Sequence, residues 1–264
     1  MHFLKADDEY FEIFSERGQD IFRTISKTDF PETYRAMFGF CAKTNSLKTA
    51  MFDCIESNNP YAFNALFRCF CEHYLKFMYI WARLCSEKND QVGIEYFSFC
   101  GASEARDYVS ALTMAEGLLG NTVIADIKEA ISQLYPATIG MCPKQVEQAS
   151  GQFKYRAILR FLAGDGFRFV ERDRSFLAKI VPQYALLSSF VHGGPYADME
   201  MVEYAEPQAI ETCEHSAGIV FLMTATVFML TCMVVAREHP EAAKTALKVH
   251  QVLKKFIDEL PDEV

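Results

Sequence analysis

Ala217-Gly218-Ile219-Val220-Phe221-Leu222-Met223-Thr224-Ala225-Thr226-Val227-Phe228-Met229-Leu230-Thr231-Cys232-Met233-Val234-Val235-Ala236 is a run of twenty residues without a charge. A helix of that length spans roughly 30 Å, enough to cross a bilayer or the centre of a domain. The flanks bear on the choice. Glu200, Glu203, Glu206, Glu211 and Glu214 precede the run, while Arg237, Lys244, Lys248, Lys254 and Lys255 follow it. For a membrane span, that asymmetry puts the C-terminal side in the cytoplasm and requires everything before it, cysteines included, to be translocated. Thr224, Thr226 and Thr231 suit instead a helix surrounded by other helices. The run reads as the buried central helix of a bundle, with a membrane anchor through 217–236 as the alternative.

Working outward, nearly every other segment is helical as well. Asp7 to about Thr28 places Phe11, Phe14, Ile21, Phe22 and Ile25 at near-helical spacing, with Gly18 as a weak point. Asp29 is the expected cap of a helix opened by Pro31 and running to about Ser57, with Tyr34, Met37, Phe38, Cys41, Met51, Phe52 and Ile55 inward. Pro60 to about Ser86 carries Phe63, Phe67, Phe70, Tyr74, Phe77, Met78, Trp81 and Leu84 on one broad face, which makes it a core element.

Residues 87–93 read as a loop, followed by helices over about 103–116 and 122–134. Thr138 to Gln152 reads as the longest loop, with one turn around Lys144 to Gln148. A helix over Tyr155–Leu162 precedes a strand-like Phe167-Arg168-Phe169-Val170, and a further helix over Arg174–His192 contains Pro182. An acidic loop, a long helix from about Pro207 to Arg237 and a last helix from Pro240 to about Leu260 complete the chain. The fold class is all-α: a single domain over 1–264, of about eight to ten helices, with a core motif region over about 34–195.

The chain is half hydrophobic, so it can bury a large core, and its net charge of -9 opposes nucleic-acid or anionic-membrane binding through an overall positive field. One basic stretch, 154–179, holds Lys154, Arg156, Arg160, Arg168, Arg172, Arg174 and Lys179. It is the place where RNA or a nucleotide would bind, or else a solvated mixed-charge surface. The nine cysteines form no Cys-x-x-Cys pair and read as small core hydrophobes in a reducing, cytoplasmic compartment. The six histidines share no metal-ligand spacing, and no phosphate loop or dinucleotide fingerprint is present. The sequence implies neither a cofactor nor a metal.

Chemistry-bearing residues fall in two motifs. Tyr184, Ser188 and His192 recur every fourth residue before Gly193-Gly194-Pro195, so they project from one helix face near its end. Such a stripe can move a proton through imidazole, or can serve the unpaired carbonyls at a helix end. Arg68 and Glu72, also four apart, form either a surface ion pair or a partly buried pair facing that stripe, with Arg68 holding an anion and Glu72 fixing its side chain. His73 lies about 100° around the helix from Glu72 and reads as a satisfied helix histidine.

The combination of Arg68-x-x-x-Glu72 with Tyr184-x-x-x-Ser188-x-x-x-His192-Gly-Gly-Pro, over roughly Tyr34 to Pro195, resembles a broad bacterial family of all-helical domains of unknown function. That resemblance implies an association with defence or mobile-element neighbourhoods. More remotely, a histidine near a helix end in a bundle resembles the HEPN superfamily of metal-independent ribonucleases, which implies His192 as acid or base and Arg68 as anion holder. The motif of that superfamily places its arginine four to six residues before the histidine; here the nearest is Arg174, so Arg68 from another helix would have to take the part. Two expectations follow: a sensor or assembly protein, with a protein partner or self-association, whose five residues form a buried network; or an HEPN-like phosphoryl-transfer or nucleotide-binding protein.

Overall fold

The computed structural model describes residues 2–121, 127–164, 174–203 and 208–260. The fold is all-α. The central helix of the opening run is α11 (Gln208–Val235); before it come α1 (His2–Thr24), α2 (Pro31–Glu56), α3 (Pro60–Glu87), α4 (Gln91–Glu95), α5 (Gly101–Leu118), α6 (Ile127–Leu134), α7 (Pro143–Ser150), α8 (Tyr155–Ala163), α9 (Arg174–His192) and α10 (Pro195–Glu203), and after it α12 (Pro240–Asp258). The strand-like 167–170 lies outside the described residues, as does 122–126, where α6 was expected to begin.

The centre is built from α2, α3 and α11. The helix α11 packs against α2, α12, α3 and α1, although its most apolar window, of mean hydropathy 2.3 and 56% buried, would also be long enough for a membrane. Ala217, Val220, Phe221, Val227, Phe228 and Cys232 are fully enclosed. Burying a large apolar side chain contributes roughly 1.5–3 kcal/mol, so this single row anchors the bundle. Its hydroxyls are satisfied within the helix, Thr224 Oγ1 donating to Val220 O and Thr231 Oγ1 to Val227 O, each at 2.8 Å.

Helix starts follow proline and its preceding residue. Pro31, Pro60 and Pro240 each open a helix, where the missing N–H costs nothing. Asn59 caps α3, its side chain accepting from Ala62 N at 3.0 Å. The expected cap of α2 is corrected. Asp29 gives no side-chain cap; Asp90, just before α4, accepts from Glu32 N at 3.1 Å and Thr33 N at 2.7 Å.

Four other expectations change. The buried side of α1 is Phe3, Tyr10 and Ile21 rather than Phe11 and Phe22, which are exposed, because Tyr10 inserts between Phe14, Phe221 and Phe228 and accepts a hydrogen bond from Asn45. Residues 91–95 are helical and continue through a π turn (Tyr96–Cys100) into α5, so the expected loop shortens. Residues 143–150 are helix α7: Pro143 opens it, and the Gln145 side chain accepts from Cys142 N at 2.7 Å. The expected acidic loop begins instead as α10, because Pro195 sets the first helical turn.

Trp81, the only tryptophan, is half-buried on α3, and its indole N–H has no hydrogen-bond partner among the described residues.

Candidate functional site

Arg68, Glu72 and Lys76 stand one turn apart on α3, and α9 packs across that face. Arg68 Nε donates to Ser188 Oγ at 3.2 Å and Arg68 NH1 to Glu72 Oε2 at 2.7 Å. Lys76 Nζ donates to the other Glu72 oxygen at 2.9 Å. The Arg68 guanidinium also lies 3.7 Å from the centroid of the Tyr184 ring, in cation–π geometry. Ser188 Oγ in turn donates to Tyr184 O at 2.9 Å, which fixes the hydroxyl so that its lone pairs face Arg68.

Sequence reasoning missed the layer beneath. Tyr155 of α8 stacks on Tyr184 with centroids 3.7 Å apart and planes at 6°, and its hydroxyl donates to Val181 O at 3.2 Å. The result is a three-layer stack of Tyr155, Tyr184 and Arg68 that joins α8, α9 and α3. Nothing in the spacing of Tyr155 announces it, since its partner lies 29 residues further along the chain, on another helix.

His192 stands apart from this cluster. It is exposed in the last turn of α9, and among the described residues it makes no side-chain hydrogen bond or ion pair. The Gly-Gly-Pro sequence is accounted for by the turn into α10. Gly193 has φ of 63°, which favours glycine, and Gly194 N donates to Ser189 O at 2.9 Å. A Cβ on Gly194 would come within 2.5 Å of Ser189 Oγ, which itself accepts from Ala197 N at 3.0 Å. A Cβ on Gly193, by contrast, would meet nothing within 4 Å among the described residues.

The electrostatics follow from these contacts. Burial alone would raise the Glu72 carboxyl, but hydrogen bonds from Lys76 and Arg68 outweigh burial and hold it at about 2. Burial, followed by the nearby Glu72 charge, pushes the Tyr184 phenol up to about 12, so it stays protonated at neutral pH. His73 is not satisfied as expected: its Nδ1 is buried without a partner among the described residues, and burial followed by the Lys43 and Lys76 charges lowers it to about 4.

A folded-state carboxyl held below its ordinary value contributes stability that is present above about 4.5 and is lost as pH falls toward about 2. Glu72→Gln is therefore expected to flatten the stability–pH curve across that window. Urea melts of both proteins at several acid pH values measure it; parallel curves would show that Glu72 carries no such linkage.

A second network was also invisible in the sequence. Arg83 forks onto Glu87, with Nε at 2.5 Å and NH2 at 2.9 Å from its two oxygens, and reaches Glu95 at 2.5 Å and Gln152 at 3.2 Å. It ties α3 to α4 and to the turn before α8. In the basic stretch, Lys154, Arg156 and Arg160 are exposed at the start and along α8, while Arg168 and Arg172 lie outside the described residues and the side chains of Arg174 and Lys179 are not described. Among the described residues no three His, Cys, Asp or Glu side chains gather as a metal site.

Comparison with known protein families, curated proteins and solved structures finds no match to this chain.

Proposed function

We propose that the protein is a non-catalytic helical sensor or assembly protein in which Arg68, Glu72, Tyr184 and Ser188 fix α9 against α3. One observation carries this reading: the Arg68 guanidinium is committed internally. Ser188 takes Nε, Glu72 takes NH1 and Tyr184 covers one face, leaving the side chain 13% exposed. An anion-holding arginine offers a free forked edge to the ligand; here one nitrogen of each fork, Nε and Nη1, already bonds within the protein. A satisfied network of this kind specifies one packing of two helices, which suits a protein that presents a fixed helical surface to a partner.

Arg68→Ala should then cost about 2 kcal/mol, because it removes charge-assisted bonds and leaves Glu72 and Ser188 short of donors. His192→Ala should change stability by less than about 0.5 kcal/mol, as expected of an exposed, unbonded side chain. Thermal and urea melts of both variants check this; an Arg68→Ala protein as stable as the wild type would remove the network from consideration.

The exposure of His192 and the open space around Gly193 among the described residues favour a second reading, an HEPN-like metal-independent ribonuclease with His192 as acid or base. Its discriminating assay is cleavage of structured and single-stranded RNA by wild type and His192→Ala. Cleavage lost in the variant supports the nuclease. Equal cleavage by both, or none by either, eliminates it.

A further inference from the structure

Helices α9 and α11 both lie against α3, and between them runs a groove of about 570 Å3. That is within the range of small-molecule sites, roughly 300–1,000 Å3. Phe67 and Cys71 of α3, both buried, contribute to its lining. The α11 lining recurs at three- and four-residue spacing from Thr212 to Thr226, so it forms one straight track of roughly 21 Å at 1.5 Å per residue. Spread over that length, this volume suits a single extended chain.

Along the α11 wall Thr212, His215 and Ser216 stand toward the N-terminal end, Ile219, Leu222 and Met223 follow, and Thr226 ends the track; Gln183 lines the groove from α9. None of the described lining residues is Lys, Arg, Asp or Glu. Glu211, exposed and one turn before His215, already occupies the positive end of the α11 dipole, so an anionic head would meet a carboxylate there rather than an unopposed dipole.

We propose that this groove binds a single-chain amphiphile, with an unbranched hydrocarbon tail along Ile219, Leu222 and Met223 and an uncharged hydrogen-bonding head at His215 and Ser216. Tail burial supplies the affinity, and the hydrogen-bonding groups of His215 and Ser216 set the orientation. This site does not depend on the reading of the Arg68 network, whose variants are judged by stability alone.

The test is isothermal titration of the full chain with monolaurin below its micelle-forming concentration, alongside laurate and the shorter monocaprin. Monolaurin is expected to bind saturably with one site per chain. Laurate should bind about threefold more weakly because of the exposed Glu211 charge, and monocaprin about tenfold more weakly for its two missing methylenes. Ile219→Trp, which fills the track, should weaken monolaurin binding at least tenfold with an unchanged circular dichroism spectrum. Should that variant fold poorly, Gln183→Trp at the exposed rim decides by the same criterion. Absence of saturable binding overturns the proposal, and so does unchanged affinity in a folded groove-filling variant. Laurate binding as tightly as monolaurin overturns the assignment of an uncharged head. Co-sedimentation with phosphatidylcholine vesicles without saturable monolaurin binding overturns it in favour of a membrane surface.

Discussion

Asp7→Ala is expected to destabilise the protein by about 3–5 kcal/mol, the cost of leaving a buried charge without its partner. Lys48 is 1% exposed and pairs with Asp7, which is itself 14% exposed. The ammonium sits among aromatic rings, 5.1 Å from the Tyr10 centroid and 5.7 Å from those of Phe11 and Phe52. Those rings offer a cation some compensation, about 0.5–2 kcal/mol, but too little to replace a carboxylate. Burial pulls the Lys48 amine down and pushes the Asp7 carboxyl up, each opposed by the partner's charge, so neither group is comfortable alone. The double variant Asp7→Ala, Lys48→Met should recover most of the loss, since an apolar side chain of similar length suits the same rings. Chemical denaturation of the two proteins measures it. A single variant within about 1 kcal/mol of wild type, or a double variant no better than the single, would show that α1 is not held by this pair.

Gly93→Ala is expected to cost about 3 kcal/mol, although alanine is the better helix former by roughly 0.5–1 kcal/mol at an ordinary position. Packing decides the sign. A Cβ on Gly93 would fall well inside van der Waals contact of the Thr33 nitrogen and the Glu32 carbonyl carbon, both backbone atoms that no rotamer change can move. Relief requires α4 to withdraw from the start of α2. That withdrawal would take with it the Asp90 bonds to Glu32 and Thr33 and the bond from Gly93 N to Thr33 Oγ1 at 3.2 Å. Asp90→Ala, which removes the cap but not the close approach, should cost only about 1 kcal/mol. The ratio of the two losses in urea denaturation is the measurement; equal losses would mean that the cap alone governs this contact.

The sequence made the main helices legible because their signals are local. Prolines 31, 60 and 240 mark starts that the structure keeps, and the inward residues expected on α2 are all buried. Arg68, Glu72, Tyr184 and Ser188 were readable as two faces, and α9 does bring them together. His192 shares the spacing of Tyr184 and Ser188 but lies in the last turn, where the chain leaves the α3 surface for α10. Spacing along a helix fixes direction; it does not fix how far the neighbouring helix extends.

What stayed hidden depends on remote partners. Asp90 acts on a helix start more than fifty residues before it, Tyr155 stacks across the segment preceding α9, and Lys48 is buried by residues of α1. A lysine in a helical pattern reads as solvent-facing until a carboxylate and three rings are brought to it. Short helices α7 and α10 were hidden for another reason: each relies on a proline and a few turn hydrogen bonds rather than a long apolar period.

The reach of Asp90 back to the start of α2 also bears on the order in which the protein can be made. It closes Pro31–Glu95 on itself, so α2 and α3 hold a bond across their open end without help from later residues. During synthesis this pair leaves the ribosome more than a hundred residues ahead of α11. The most apolar helix of the chain would thus emerge to find its seat already standing, which shortens the time its face is bare to chaperones and to other nascent chains.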